Sequence, residues 1–202
     1  MTVIGITGPS GSGKSAVSEH LKQIHGFKVI DADEVYHGII SQPSDCVREL
    51  VEAFGEGILS QNGGIDRKVL AKLVFGEENK ERLLILNKIT HKYVDIEIKR
   101  LLESYAANGE EFCAIDAPLL VEAGINKICD YVIAVVASRE KRAERISKRD
   151  GIDHEAAILR IDSQKPDSFY EENSDFVIQN NLNLKELSLF VNMILRLWSI
   201  IK

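Results

Sequence analysis

Apolar residues recur along the chain in two rhythms. Five short runs, VIGIT, FKVID, FCAID, YVIAVVA and DFVIQ, are almost continuously apolar and rich in β-branched residues, the pattern of buried strands. Between them the apolar positions fall at helical spacing. In GKSAVSEHLKQIHG, Val17, Leu21 and Ile24 share one face, and Gly26 predicts the stop. A long helical excursion is predicted over 38–107; within it, ERLLILNKITHKYVDIEIKRLLESY places Leu86, Ile89, Tyr93, Ile96 and Leu101 on one broad face. A second helical excursion over 139–170, rich in arginine, precedes the last strand. The closing stretch LKELSLFVNMILRLWSII predicts an apolar-faced helix with Trp198 in the core. Strands alternating with helices predict an α/β fold: a parallel five-stranded sheet covered on both faces and interrupted by two helical insertions.

Composition narrows this picture without redrawing it. At 45% hydrophobic and 28% charged, 202 residues suit one compact domain spanning 1–202. A net charge of −6 leaves no basic excess to attract nucleic acid. No apolar run approaches the length of a membrane span, and the chain opens on a strand rather than a signal peptide. The expectation is therefore a cytoplasmic protein with no membrane partner. Cys46, Cys113 and Cys129 are odd in number, widely spaced and without a CxxC pair, which predicts reduced thiols rather than a disulfide or zinc site. Cys113 lies inside an apolar run and is expected in the core.

The chemistry concentrates where strands end. GITGPSGSGKSAV follows the first strand and opens the first helix, and Gly8 to Ser15 fits GxxxxGK[ST]. Glycines there let successive N–H groups turn inward at the positive end of a helix, making a phosphate site. Lys14 adds a charge for the β- and γ-phosphates, and Ser15 a hydroxyl for Mg²⁺. The second strand ends VIDADEVYH, where Asp31 and Asp33 lie two apart. Asp33 can serve an attacking hydroxyl, cap the following helix, or do both. The third strand ends in Asp116, a Walker B-like position near Mg²⁺. Arg142, Arg145 and Arg149 recur at helical spacing in SREKRAERISKRDGID and face one way, as cations for phosphoryl transfer or as a solvated stripe. NKIT is not a guanine-reading NKxD motif, because it lacks the aspartate and lies within a helix. This excludes a GTP-driven switch.

Together GITGPSGSGKS, VIDADEVYHGII, FGEGILSQNGGIDRKVLAKLVF, ITH, IDAPLLVEAG, RISKRDGID, RIDSQ and DFVIQNN make the chain resemble the dephospho-CoA kinase family nearly end to end. The resemblance implies a P-loop kinase in which 38–107 binds the acceptor and 139–170 is a lid. It implies ATP-dependent phosphorylation of the ribose 3′-hydroxyl of dephospho-CoA, giving coenzyme A and ADP, with Mg²⁺ accompanying ATP. Asp33 would be the base or hydroxyl-orienting group, with Lys14 and Arg145 completing the catalytic set. Gly11, Ser12, Gly13, Lys14, Ser15 and Ala16 would hold ATP with Arg149, and Asn180 would lie near its adenine. Arg67, His91, Leu119, Leu120 and Asp33 would shape the acceptor site, and Ser15 and Asp116 would serve the metal. The partners implied are the two small-molecule substrates, and a monomer is expected. The chain departs from the family's usual pattern in Lys92 (commonly proline), Val121 (commonly phenylalanine), Arg142 (commonly glutamine) and GPSGSGKS in place of GGIGSGKS. The competing reading, another P-loop kinase acting on a nucleoside or nucleotide, would need an insertion built for a base or a phosphate; GGIDRKVLAKLVF speaks against it.

Overall fold

In the computed structural model, residues 1–181 and 183–201 are described. Their elements run β1 (Thr2–Thr7), α1 (Lys14–His25), β2 (Lys28–Asp31), α2 (Ala32–Ile40), α3 (Asp45–Phe54), α4 (Arg67–Val74), α5 (Lys80–Ala107), β3 (Phe112–Asp116), β4 (Tyr131–Val136), α6 (Arg139–Asp150), α7 (His154–Asp162), α8 (Asp167–Glu172), β5 (Phe176–Gln179) and α9 (Leu184–Leu197). All five apolar runs form strands. They make one five-stranded sheet in the order β2-β3-β1-β4-β5, with β1 parallel to β3 and β4, and β4 parallel to β5. β1, β3 and β4 are buried beyond their first residue, which explains why their runs lack a polar alternation. The expected parallel α/β sheet is therefore the observed one.

The chain divides into two compact units, Met1–Val29 with Ala106–Lys202, and Ile30–Tyr105. In the first unit, Ile4, Ile6, Ala114, Ile133 and Val135 of the sheet meet Val17 and Leu21 of α1 and Leu187, Val191, Ile194 and Leu195 of α9. Fully burying one such aliphatic side chain contributes about 1.5–3 kcal/mol. Trp198 is half-buried at the edge of this core, stacked on Tyr131 with ring centroids 4.2 Å apart. The second unit has its own core, in which Ile40, Val47, Leu50, Ile58, Leu70, Val74, Leu86 and Ile89 pack together.

Two expectations change in detail. The helical stretch after β2 begins at Ala32, ahead of residue 38, because Asp31 ends the strand and caps the helix. On α5 the buried row is Leu86, Thr90, Val94 and Ile98, with Ile89 beside it, whereas Ile96 is 52% exposed. Thr90 hides this row in the sequence. Its hydroxyl donates to the Leu86 carbonyl (2.9 Å), so a polar residue is satisfied within the helix and sits in the core.

Candidate active site

The first unit gathers its polar chemistry at the carboxyl end of the sheet, where chain order reverses around β1. The register pairs Ile6 with Asp116, so the loop leaving β1 and the carboxylate ending β3 start at the same level. The loop reaches α1 through Gly13, whose backbone is left-handed (φ 98°) and which offers no side-chain cap. A Cβ there would stand 2.2 Å from Asn180 Nδ2 and would also strain the backbone, so only glycine fits. The first N–H groups of α1 thus lack a side-chain acceptor, the arrangement that favours an anion.

Two side chains, one from the end of the loop and one from beyond β5, bond its carbonyls. Lys14 Nζ donates to the Gly8 carbonyl (2.8 Å), and Asn180 Nδ2 donates to the Ser12 carbonyl (2.7 Å). The Ser12 hydroxyl is buried and has no hydrogen-bond partner among the described residues, so the protein alone does not saturate the loop. Ser15 is exposed at the start of α1. Asp116 is buried and accepts from the Ser18 hydroxyl. A hydroxyl and a carboxylate are hard oxygen donors of the kind Mg²⁺ takes.

Arg142, Arg145 and Arg149 of α6 all reach the loop, while Arg139 pairs with Asp162. Arg145 Nη1 donates to the Gly11 and Ser12 carbonyls (3.2 and 3.1 Å), and its Nη2 to the Asn180 carbonyl (3.0 Å). Arg145, on the segment expected to be the lid, thus braces backbone carbonyls of the loop. Arg149 donates to Ser10 Oγ (3.2 Å) and doubly to Asp150 (2.7 and 2.9 Å). The Arg149 hydrogen bonds, with Arg160 also on the carboxylate, hold the Asp150 carboxyl down to about 2. Arg142 is buried against Ser10, Gln164 and Asp167 and is not part of a solvated face. Beside Gly13 opens a cavity of about 620 Å³ lined by Ala16, Arg145, Asn180, Asn183, Leu184 and Lys185. Asn183 and Lys185 went unnoticed in the sequence, although the Asn183–Glu186 capping box marks the helix start that places them.

Pro118 carries the chain out of the sheet, and Leu119 and Leu120 then separate. Leu119 is 47% exposed; Leu120 is wholly buried, and its Cδ2 would lie 2.7 Å from a Cβ on Gly5. Leu120 therefore packs under β1 while Leu119 faces outward. Burial pushes the Cys113 and Cys129 thiols up to about 12 and Cys46 up to about 11, which suits inert structural cysteines.

In the second unit, Asp31 rather than Asp33 caps α2: its Oδ1 accepts from the N–H groups of Asp33 (2.8 Å) and Glu34 (3.1 Å). Asp33 is exposed in the first turn, its carboxylate free of capping duty. The GGIDRK stretch is explained by packing and capping. A Cβ on Gly64 would meet the Ser41 carbonyl oxygen at 2.3 Å, Ile65 is buried, and Asp66 caps α4 through the N–H groups of Lys68 and Val69. Arg67 and Lys68 then line an apolar cavity of about 610 Å³, with Tyr36, Leu70, Val74 and Leu86 also in its wall. Burial raises the Tyr36 pKa, with Arg67 opposing. His91 is half-buried on α5 and is not among the residues that line that cavity. Lys92 pairs with Glu49 (2.7 Å), which also accepts from Tyr93 (2.8 Å), so the lysine that replaces proline has a defined partner.

Comparisons with known proteins converge on one family. The family described as Dephospho-CoA kinase matches residues 2–186. A protein of that name from Dehalococcoides mccartyi is 39% identical over 194 residues, covering 96% of each chain. The solved dephospho-CoA kinase from Campylobacter jejuni superposes with a TM-score of 0.69 at 27% identity, covering 96% of this chain and 95% of that one. At fold level alone, a shikimate kinase from Acinetobacter baumannii gives 0.59 at 14% identity, covering 98% and 94%. With the strand-loop-helix anion site already in place and the match running through both units, the chain belongs to the dephospho-CoA kinase family.

Proposed function

We propose that the chain transfers the γ-phosphoryl group of ATP to the ribose 3′-hydroxyl of dephospho-CoA, giving coenzyme A and ADP. Family membership supports the reaction, and the uncapped, glycine-entered N-terminus of α1 supports the donor side. The loop Gly11–Ala16 receives the ATP phosphates. Lys14 exchanges the Gly8 carbonyl for phosphate oxygens, and Arg149 turns from Ser10 toward the same charge. Arg145, held on the loop's carbonyls, stabilises the charge of the transferring phosphoryl group, and Asn180 lies near the adenine, where it lines the cavity beside Gly13. Ser15 and Asp116 would hold Mg²⁺ carried on ATP, which supplies charge neutralisation on the phosphates. α6–α8 act as the lid.

On the acceptor side, Asp33 orients the hydroxyl and takes its proton. It can do so because Asp31 has already capped the helix. Arg67, in the lining of an apolar cavity, offers a cation to an anionic acceptor group. Leu119, Leu120 and His91 contribute to the acceptor side, Leu119 by its exposed side chain and Leu120 by holding the turn after β3 against β1. The protein works in the cytoplasm as a monomer. Incubation with Mg²⁺, ATP and dephospho-CoA, followed by mass spectrometry, is expected to show coenzyme A and ADP. Turnover of a nucleoside or nucleotide with none of dephospho-CoA would instead support the competing kinase reading.

A further inference from the structure

Ser10 is the one loop residue whose three polar groups are all bound by the α6–α7 segment and the residues just after it. Its N–H donates to Gln164 Oε1 (3.0 Å), its carbonyl accepts from Arg142 Nε (3.1 Å), and its hydroxyl accepts from Arg149 Nη2 (3.2 Å). Arg142 Nη2 closes the ring by donating to the same Gln164 oxygen (2.7 Å), and Nη1 reaches Asp167 (3.3 Å). The loop presses directly on this residue: a Cβ on Gly11 would meet the Arg142 carbonyl oxygen at 2.8 Å and its Cα at 3.0 Å. Arg142 is only 5% exposed, so its guanidinium has no solvent to compensate a lost partner, and its planar fork fixes the direction of each bond.

We propose that Arg142 is a positioning residue for the phosphate loop, acting with Gln164 to hold the two peptide groups of Ser10 so that the following N–H groups point at the ATP phosphates. Neither side chain touches substrate. Arg142 keeps the Ser10 carbonyl turned out of the anion site, and Gln164 anchors the Ser10 N–H, which leaves the segment from Gly11 to Lys14 aimed inward. α6 and the turn before α8 supply the two halves, so this end of the segment is tied to the loop. The proposal rests on the reading of this loop as the ATP site.

The test is nucleotide affinity by calorimetry on Arg142→Met, which keeps bulk and removes the donors, and on Gln164→Leu, each checked by circular dichroism. ATP affinity is expected to fall about tenfold in either variant, the scale of one buried polar group losing its partner. AMP, which lacks the phosphates this loop grips, is expected to stay within about twofold, whereas general loosening would weaken both nucleotides. The double variant is expected to be little worse than either single one, because both act through one network. Hydrogen exchange at the Ser10 amide is expected to speed up in both. Wild-type ATP affinity in folded Gln164→Leu, or equal losses for ATP and AMP, would overturn the proposal, and Gln164→Leu decides it alone where Arg142→Met fails to fold. All these readouts omit the acceptor. A wild type that binds ATP and leaves dephospho-CoA unchanged therefore counts against the proposed reaction and not against the clamp; a wild type that binds no ATP overturns both.

Discussion

After β1 the chain enters α1 through Gly13, which has no side chain to offer the first helical N–H groups; after β2 it enters α2 through Asp31, whose carboxylate accepts from the N–H groups of Asp33 and Glu34. Both junctions leave a strand of one sheet for a helix, the first through the loop Gly8–Gly13 and the second directly. In the first, the helix's positive end stays available to an outside anion, and cations from α6 gather on the loop. In the second, the protein supplies its own anion, and the next carboxylate along, Asp33, is released for other work. One residue at the cap position decides whether the helix start keeps its N–H groups open or closes them with its own carboxylate.

The largest effect is expected from making the first junction like the second. Gly13→Asp would give α1 an internal cap and place a negative charge where the phosphates bind. Its Cβ would also push on Asn180 at a left-handed backbone. Like-charge juxtaposition costs several kcal/mol, so ATP affinity should fall by at least roughly a hundredfold. Calorimetry on protein shown to be folded checks this. Near-normal ATP binding would mean that the N-terminus of α1 is not the anion site.

Asp33→Asn probes the other junction and should cost about a hundredfold in turnover, the lower end of general-base contributions, since little proton transfer is needed early in a loose phosphoryl-transfer transition state. ATP affinity should not change. Because Asp31 holds the cap, helix stability should not change either, and the loss can be assigned to chemistry. Unchanged turnover would send the search for a proton acceptor to Asp116 or solvent.

How far these junctions were legible in the sequence differs in an instructive way. The first was fully legible, because strand, glycines, lysine and serine are contiguous and each is required locally. The second was legible only as a pair of aspartates. Which one caps depends on a helix boundary shifted by two residues, and boundaries are set by tertiary context. The arginine stripe on α6 showed its periodicity but not its targets: Ser10 lies 132 positions from Arg142, and no spacing rule connects them. The buried row of α5 was obscured because Thr90 sits in it while Ile96 lies off it. Leu119 and Leu120 read as equivalent until the chain's turn after Pro118 put one outside and one under β1.

A smaller effect isolates the cap itself. Asp31→Ala leaves the N–H groups of Asp33 and Glu34 without their acceptor and should destabilise the protein by about 1 kcal/mol. The midpoint of denaturant unfolding reads this, and Asp31→Asn should recover most of it. The comparison with Asp33→Asn is the informative one: stability should respond at position 31 and turnover at position 33. Equal stability losses at both would show that the two carboxylates share the cap.

The smallest effect concerns charge at the two junctions. The cations around the first carry a counter-ion, Asp150, whose pKa is held near 2 by its hydrogen bonds to Arg149 and by Arg160, below the ordinary carboxylate value of about 3.9. A carboxyl depressed in the folded state contributes stability that is fully present above its unfolded pKa. That stability is lost as pH falls through the folded one. Wild type should therefore lose this contribution between about pH 4 and pH 2, while Asp150→Asn, which never has it, should show a flatter decline over the same window. The pair is exposed, so the difference should be small and should shrink in high salt. Denaturant midpoints for both proteins at pH 5, 4 and 3, at low and high ionic strength, measure it. Parallel declines would mean that Arg149 is not anchored by Asp150 in solution and is free to meet phosphate without first breaking an ion pair.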